Sequence, residues 1–133
     1  MSADTRPIDA ETRATSDDHH ALRLWLRLYA CTSLVESRVR RRLQTRFGTT
    51  LPRFDLMAQL DRSPQGLRMS ELSSRLMVTG GNVTGLTDSL EDEGLVVRES
   101  DGADRRALRV KLTREGRRVF RAMATDCLRR RRT

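Results

Sequence analysis

The stretch from Met69 to Thr113 constrains this chain more than any other. "MSELSSRLM" (69–77) and "TGGNVTGLTDSLEDEGL" (79–95) have helical spacing, with only a brief turn of the "VTG" kind between them. Thr79 is placed to cap the second helix and Gly94 to terminate it. Two short helices joined by a glycine-containing turn are the signature of a helix-turn-helix. Directly after them come "LVVRES" and "ALRVKL", short β-like runs separated by the turn-forming "DGADRR". Helix, helix and then hairpin is the order of a winged helix-turn-helix, and few other small folds share it.

The flanks extend this framework. Residues 1–16 are polar and aperiodic, which predicts a disordered N-terminal arm. From residue 17 to 47 the apolar positions Leu24, Leu28, Cys31, Val35, Val39 and Leu43 recur at three- and four-residue steps, with Trp25 and Tyr29 beside them, until Gly48 stops the helix. A long amphipathic helix of this kind belongs to a bundle or a dimer interface. Pro52 suits the first turn of "PRFDLMAQLDR", which "SPQG" then breaks. Thr113 caps a last helix, "REGRRVFRAMATDCLRRRR", whose buried face is Val119, Phe120, Met123 and Cys127. The expected fold is mostly α with a small β-hairpin wing (α+β). It is a single domain over 17–133, with dimerisation-type helices at 17–47 and 113–133 around a winged helix-turn-helix at 52–112. Cys31 and Cys127, the only cysteines, are expected as buried thiols.

Charge narrows the function. Basic residues number 26 against 18 acidic, a net of +8, and 25 of the 26 are arginine. Residues 1–20 are acidic, so the remaining 113 carry 24 basic against 13 acidic residues. A field of that sign concentrates polyanions, nucleic acid first. No apolar run reaches the length of a membrane span and the N-terminus lacks the apolar core of a signal peptide, which predicts a soluble, cytoplasmic protein. An enzyme finds no support, because activated nucleophile, phosphate loop and metal-ligand spacing are all missing; no cofactor is expected. "DGADRR" lacks the alternating ligands of a calcium loop, and its arginines repel cations. In "DDHH" (17–20) the neighbouring side chains point in different directions on a helix, which argues for a solvated helix start over a metal site.

Several motifs together resemble the MarR (multiple antibiotic resistance regulator) family of bacterial transcription factors. They are "LPRFDLMAQL", "MSELSSRL", "NVTGLTDSLEDEGLVVRE" and above all "DGADRRALRVKLTREG", and the likeness runs from about Leu22 to Met123. The most specific part is the wing motif of Asp104, Arg105 and Arg106 followed by Leu112 and Thr113. The resemblance implies a winged-helix repressor, a homodimer, whose affinity for double-stranded DNA falls when a small aromatic effector binds. Family effectors bind between the long helices and the winged domain, which makes Trp25, Arg27, Tyr29, Phe54 and Met57 the expected ligand-binding residues. The peroxide-sensing branch has a cysteine in a run resembling "LCFALY"; here the run is "LWLRLY", with Trp25 in that place. Family members continue past the last helix into another, whereas this chain ends at "CLRRRRT", so its dimer is expected to lack that element.

On this reading, helix 79–93 enters the major groove with Thr79, Asn82, Thr84 and Ser89 as reading residues, while Leu86 and Leu90 turn to the core. Asparagine pairs with adenine through two hydrogen bonds, and a threonine methyl meets that of thymine. The helix departs from its relatives in having no basic residue between Arg75 and Arg98, whereas Asp88, Glu91, Asp92 and Glu93 are acidic. The 98–110 wing must therefore contribute more, with Arg105 or Arg106 in the minor groove and Asp104 bracing the finger. Arg75, Arg98 and Arg68 are the expected phosphate contacts. The alternative is a truncated or sequence-tolerant DNA-binding protein that modulates a full-length relative.

Overall fold

The computed structural model describes the backbone of residues 16–76, 82–102 and 104–129, together with their side chains apart from 16, 17 and 104–106. The arm expected at 1–16 lies outside these residues except for Ser16, where the first helix begins. The chain divides into two compact units, one ending at Arg38 and the other beginning at Val39.

In the first unit the described residues form one helix, the N-terminal part of α1 (Ser16–Phe47). Its apolar residues face outward. Leu24, Trp25, Leu28, Tyr29, Leu34 and Val35 are all more than half exposed. Cys31 is exposed as well, which corrects the expectation of two buried thiols. The heptad-like spacing makes an apolar stripe, but a stripe is buried only where a second surface covers it.

The second unit holds the remainder of α1, followed by α2 (Leu51–Asp61), β1 (Leu67–Arg68), α3 (Met69–Arg75), α4 (Val83–Asp92), β2 (Val96–Asp101), β3 (Asp104–Leu112) and α5 (Arg114–Leu128). Every element contributes to one core. Leu43 comes from α1, Leu56, Met57 and Leu60 from α2, Leu67 from β1, Leu72 from α3, and Leu90 from α4. Val96, Val110 and Leu112 come from the other two strands, and Phe120 and Met123 from α5. Each fully buried side chain of this kind stabilises the fold by about 1.5–3 kcal/mol over its exposed state. Phe54 and Phe120 meet tilted, with ring centroids 5.2 Å apart. At the rim, Arg42 and Arg46 of α1 both donate to Asp126 of α5, at its backbone carbonyl and its carboxylate respectively.

The sheet has the order β1-β3-β2 and is antiparallel throughout. β2 and β3 pair from Val96↔Leu112 to Ser100↔Leu108, and an irregularity follows between Ser100 and Asp101. β1 pairs Leu67 with Val110 and Arg68 with Arg109. Two residues carry no periodicity, so this strand is invisible in the sequence; the free edge of β3 creates it.

α4 is shorter than the helix expected at 79–93. It begins after Asn82, which is extended (φ −68°, ψ 108°) and whose side chain accepts a hydrogen bond from the Thr84 amide at 3.1 Å. Asparagine is among the best N-cap residues, so it outcompetes a start further back. Thr79, Gly80 and Gly81 lie outside the described residues, and the capping role expected of Thr79 passes to Asn82.

The joint between α4, the wing and α5 is built on two glycines. Gly94, at φ +74°, closes α4: Leu95 N bonds Leu90 O and Gly94 N bonds Glu91 O, both at 2.9 Å. The Leu95 carbonyl then accepts from Thr113 N at 3.0 Å, and Thr113 Oγ1 donates to the Gly94 carbonyl at 2.7 Å. The same hydroxyl oxygen caps α5 by accepting from Gly116 N at 3.0 Å. A β-carbon on Gly116 would stand 1.9 Å from the Leu95 oxygen. Only glycine lets α5 sit this close to the turn.

Gly116→Ala should therefore destabilise the protein by about 3 kcal/mol, at the upper end of overpacking costs because backbone has to move. A denaturant midpoint unchanged from the parent protein would contradict this packing. The half-buried Cys127 should react slowly. Burial pushes its thiol up in pKa, so at neutral pH a maleimide should label it far more slowly in the native protein than after unfolding in denaturant, as peptide mass mapping over time would show.

Candidate nucleic-acid interface

α4 has two distinct sides. Val83, Leu86, Thr87 and Leu90 face the core, as three- and four-residue spacing requires. Thr87 is fully buried and satisfies its hydroxyl by donating to the Val83 carbonyl at 2.8 Å. The opposite side presents Thr84, Gly85, Asp88 and Asp92, all exposed. This outward face, one residue deep in polar groups and lacking bulky side chains at its N-terminal end, is the part of the helix open to a ligand.

The sequence-predicted reading residues are distributed differently by the fold. Thr84 is on the outward face. Asn82 is exposed, but its Oδ1 is engaged as the cap, and its Nδ2 lies where a β-carbon on Gly85 would meet it at 3.4 Å. Ser89 is turned toward α2, where it accepts a hydrogen bond from Arg53 Nη1. Arg53 also bonds Thr49 at 3.1 Å and the Glu93 carboxylate. It therefore clamps α4 against the start of α2, a role that nothing in the spacing of the sequence marks.

Arg98, expected as a phosphate contact, is held by carboxylates. Its Nη2 donates to Asp88 Oδ1 at 2.6 Å and its Nη1 to Glu91 Oε1 at 2.9 Å. The hydrogen bond to Asp88 is the largest reason its pKa is raised above the ordinary arginine value. These bonds offset part of the acidic charge of α4 and tie the first wing strand to it. Arg75 is exposed, donates to Ser63 Oγ at 3.2 Å, and stands 4.0 Å from Glu71 one turn earlier.

The wing has a braced base. Asp101, with a side chain only 15% exposed, accepts from Arg68 Nη2 at 2.9 Å and from Arg109 Nε at 3.0 Å. Arg109 Nη1 continues to the Gly66 carbonyl at 3.2 Å. One carboxylate thus joins the ends of β1 and β2 to the middle of β3, and Arg68 is drawn into this brace instead of standing clear for phosphate. Lys111 and Glu99 add a cross-strand pair at 2.9 Å. Asp104, Arg105 and Arg106 lie in β3, but their side chains lie outside the described residues, so the brace expected of Asp104 has its described counterpart in Asp101.

The five residues expected to bind an effector fall in both units. Trp25 and Tyr29 are exposed and stacked, with ring centroids 5.7 Å apart and Arg27 between them in sequence. Phe54 packs on Phe120, and Met57 is 1% exposed in the core of the second unit. Among the described residues, no three His, Cys, Asp or Glu side chains gather as metal ligands, and no helix is long and apolar enough to cross a membrane.

Two short helices, the second presenting an open polar face, and a hairpin braced beside it define a winged helix-turn-helix domain. Comparison with known proteins agrees. The MarR family model matches residues 47–107. A MarR family transcriptional regulator from Silicibacter pomeroyi is 36% identical, with a TM-score of 0.68 over 86% of this chain and 78% of that one. BldR, a transcriptional regulator of Sulfolobus solfataricus, is 25% identical with a TM-score of 0.70, over 86% of this chain and 80% of its own. The transcriptional activatory protein BadR of Rhodopseudomonas palustris is 32% identical over 82% of this chain, which spans 63% of BadR's length. The chain belongs to the MarR family.

Asp101→Ala leaves two guanidinium groups without their shared acceptor. It should lower stability by about 1.5–3 kcal/mol, the range for a hydrogen bond to a charged group. Hydrogen exchange localises the effect: protection should fall first at the β2–β3 pairing near the tip and at β1.

Proposed function

We propose that this chain is a DNA-binding transcriptional regulator. It lays the outward face of α4 in the major groove and the β2–β3 wing in the adjacent minor groove. The observation that carries this reading is the juxtaposition of the open face of α4 with a wing braced to it through Arg98 and carrying Arg105 and Arg106 in its second strand. Phosphate contacts give affinity and salt dependence, and the reading helix gives sequence preference. With Arg98 and Arg68 both engaged by carboxylates, the wing arginines carry most of the local positive charge toward DNA.

The functional unit in this proposal is a homodimer that reads two half-sites. Its support is the outward apolar face of α1, where Leu24, Leu28 and Val35 stand about 60% exposed. An apolar surface of this size is covered by a partner in stable proteins. A small aromatic effector that lowers DNA affinity completes the proposal, supported by the stacked Trp25–Tyr29 pair next to a cationic Arg27. The chain then works as a repressor wherever its operator overlaps a promoter.

Gel-shift titration on the protein's own upstream DNA, with competitor DNA present, tests the reading. Specific binding should survive the competitor; equal displacement would favour the sequence-tolerant alternative. Arg106→Ala should weaken binding across all sequences and reduce the salt slope by about one. An unchanged slope and affinity would remove this residue from the interface.

A further inference from the structure

The outward face of α4 offers DNA its first charged side chain at Asp88, the sixth of its ten residues and one turn past Thr84. From its N-terminus this face runs Thr84, Gly85, Asp88, Asp92, and recognition helices contact bases mainly through their N-terminal residues. Gly85 has no side chain and Thr84 a short one, so between them and Asp92 the longest reach belongs to Asp88, whose side chain is 55% exposed. Neighbours on the helix do not compete: Ser89 is bonded to Arg53, and Asn82 is the cap.

A lone carboxylate on such a face would be repelled by both phosphate backbones. Asp88 is not alone, because Arg98 Nη2 reaches its Oδ1 at 2.6 Å, and Nη1 of the same guanidinium reaches Glu91 at 2.9 Å. This pairing offsets part of its charge, restricts its rotamers and leaves the carboxylate an acceptor. In the major groove, the base-pair edge that a carboxylate recognises is the N4 amino group of cytosine, a hydrogen-bond donor. Guanine O6 and N7, the usual partners of arginine and lysine, are acceptors and repel it.

Resting on the docking of α4 proposed above, we infer that Asp88 is a specificity-determining residue that selects a C·G pair in each half-site by accepting a hydrogen bond from cytosine N4, with Arg98 as its positioning residue. The helix reads with an acid where a basic residue would select guanine. Specificity on this helix thus comes from acceptance, and affinity comes from the wing.

The test is selection from a random duplex library with the parent protein, Asp88→Asn and Asp88→Ala, followed by titration on the selected duplexes. The parent motif should contain a C·G pair that Asp88→Ala no longer distinguishes, a loss of about ten-fold or more in discrimination at that pair. Asp88→Asn gains an amide donor beside its acceptor and should move the preference at that one position toward A·T, since an amide pairs with adenine N6 and N7. This variant is nearly isosteric, and Glu91 still holds Arg98, so the fold is retained; unchanged binding to nonspecific duplex checks that. Motifs identical in all three proteins overturn the inference, as does an equal rise in affinity for every duplex, the mark of an acid that only repels phosphate. If the parent protein selects no motif and binds no duplex, the docking proposal falls with it.

Discussion

The close approach of Gly116 to the Leu95 carbonyl organises the second unit. At this one point the end of α4, the start of β2, the end of β3 and the first turn of α5 share backbone hydrogen bonds. Leu95 O takes the Thr113 amide, Thr113 holds Gly94, and Gly116 makes room. The consequence is geometric. α4 and the hairpin leave the same joint, so its hydrogen bonds, together with the Arg98 strut, set their relative angle. The proposed docking on DNA needs this, because a small rotation between helix and wing would take one of them out of its groove.

Charge pairing then decides which arginines remain available. A chain with 25 arginines invites the assumption that most of them meet phosphate. The described contacts show a different use. Arg53 holds Ser89 and Glu93, Arg98 holds Asp88 and Glu91, and Arg68 and Arg109 share Asp101. These guanidiniums act as multidentate struts that offset part of the acidic charge of α4 and brace the wing base. Two cations, Arg53 from α2 and Arg98 from β2, thus reach three of the four acids between Asp88 and Glu93. The outward face stays acidic, with Asp88 and Asp92 on it and one guanidinium, Arg98, shared between Asp88 and Glu91.

Legibility in the sequence varied with the range of the interactions involved. α1, α2, the paired short helices, the hairpin and the Thr113 cap were readable because each rests on local rules: periodicity, a proline at the first turn, a glycine at the last, a hydroxyl at the cap. Leu86 and Leu90 turned inward as their spacing demanded. β1 was hidden because two residues have no period, and α4 lost its first turn because Asn82 caps better than Thr79. Among the site residues, Thr84 could be placed on the open face by spacing alone. Ser89 could not, since spacing says nothing of an arginine 36 residues away.

The sequence by itself determined the class of this protein. The order helix, helix, hairpin, with "DGADRR" ahead of "VKLT", leaves little room for another fold, because capping and alternation are local and act before the chain collapses. It also determined the excess of positive charge. Tertiary structure alone decided which arginines are struts, that Asp101 braces the wing base, and that Asp88 faces outward under the hand of Arg98. Those outcomes depend on side chains separated by up to forty residues in sequence, and only the packing of the core brings them within hydrogen-bonding distance.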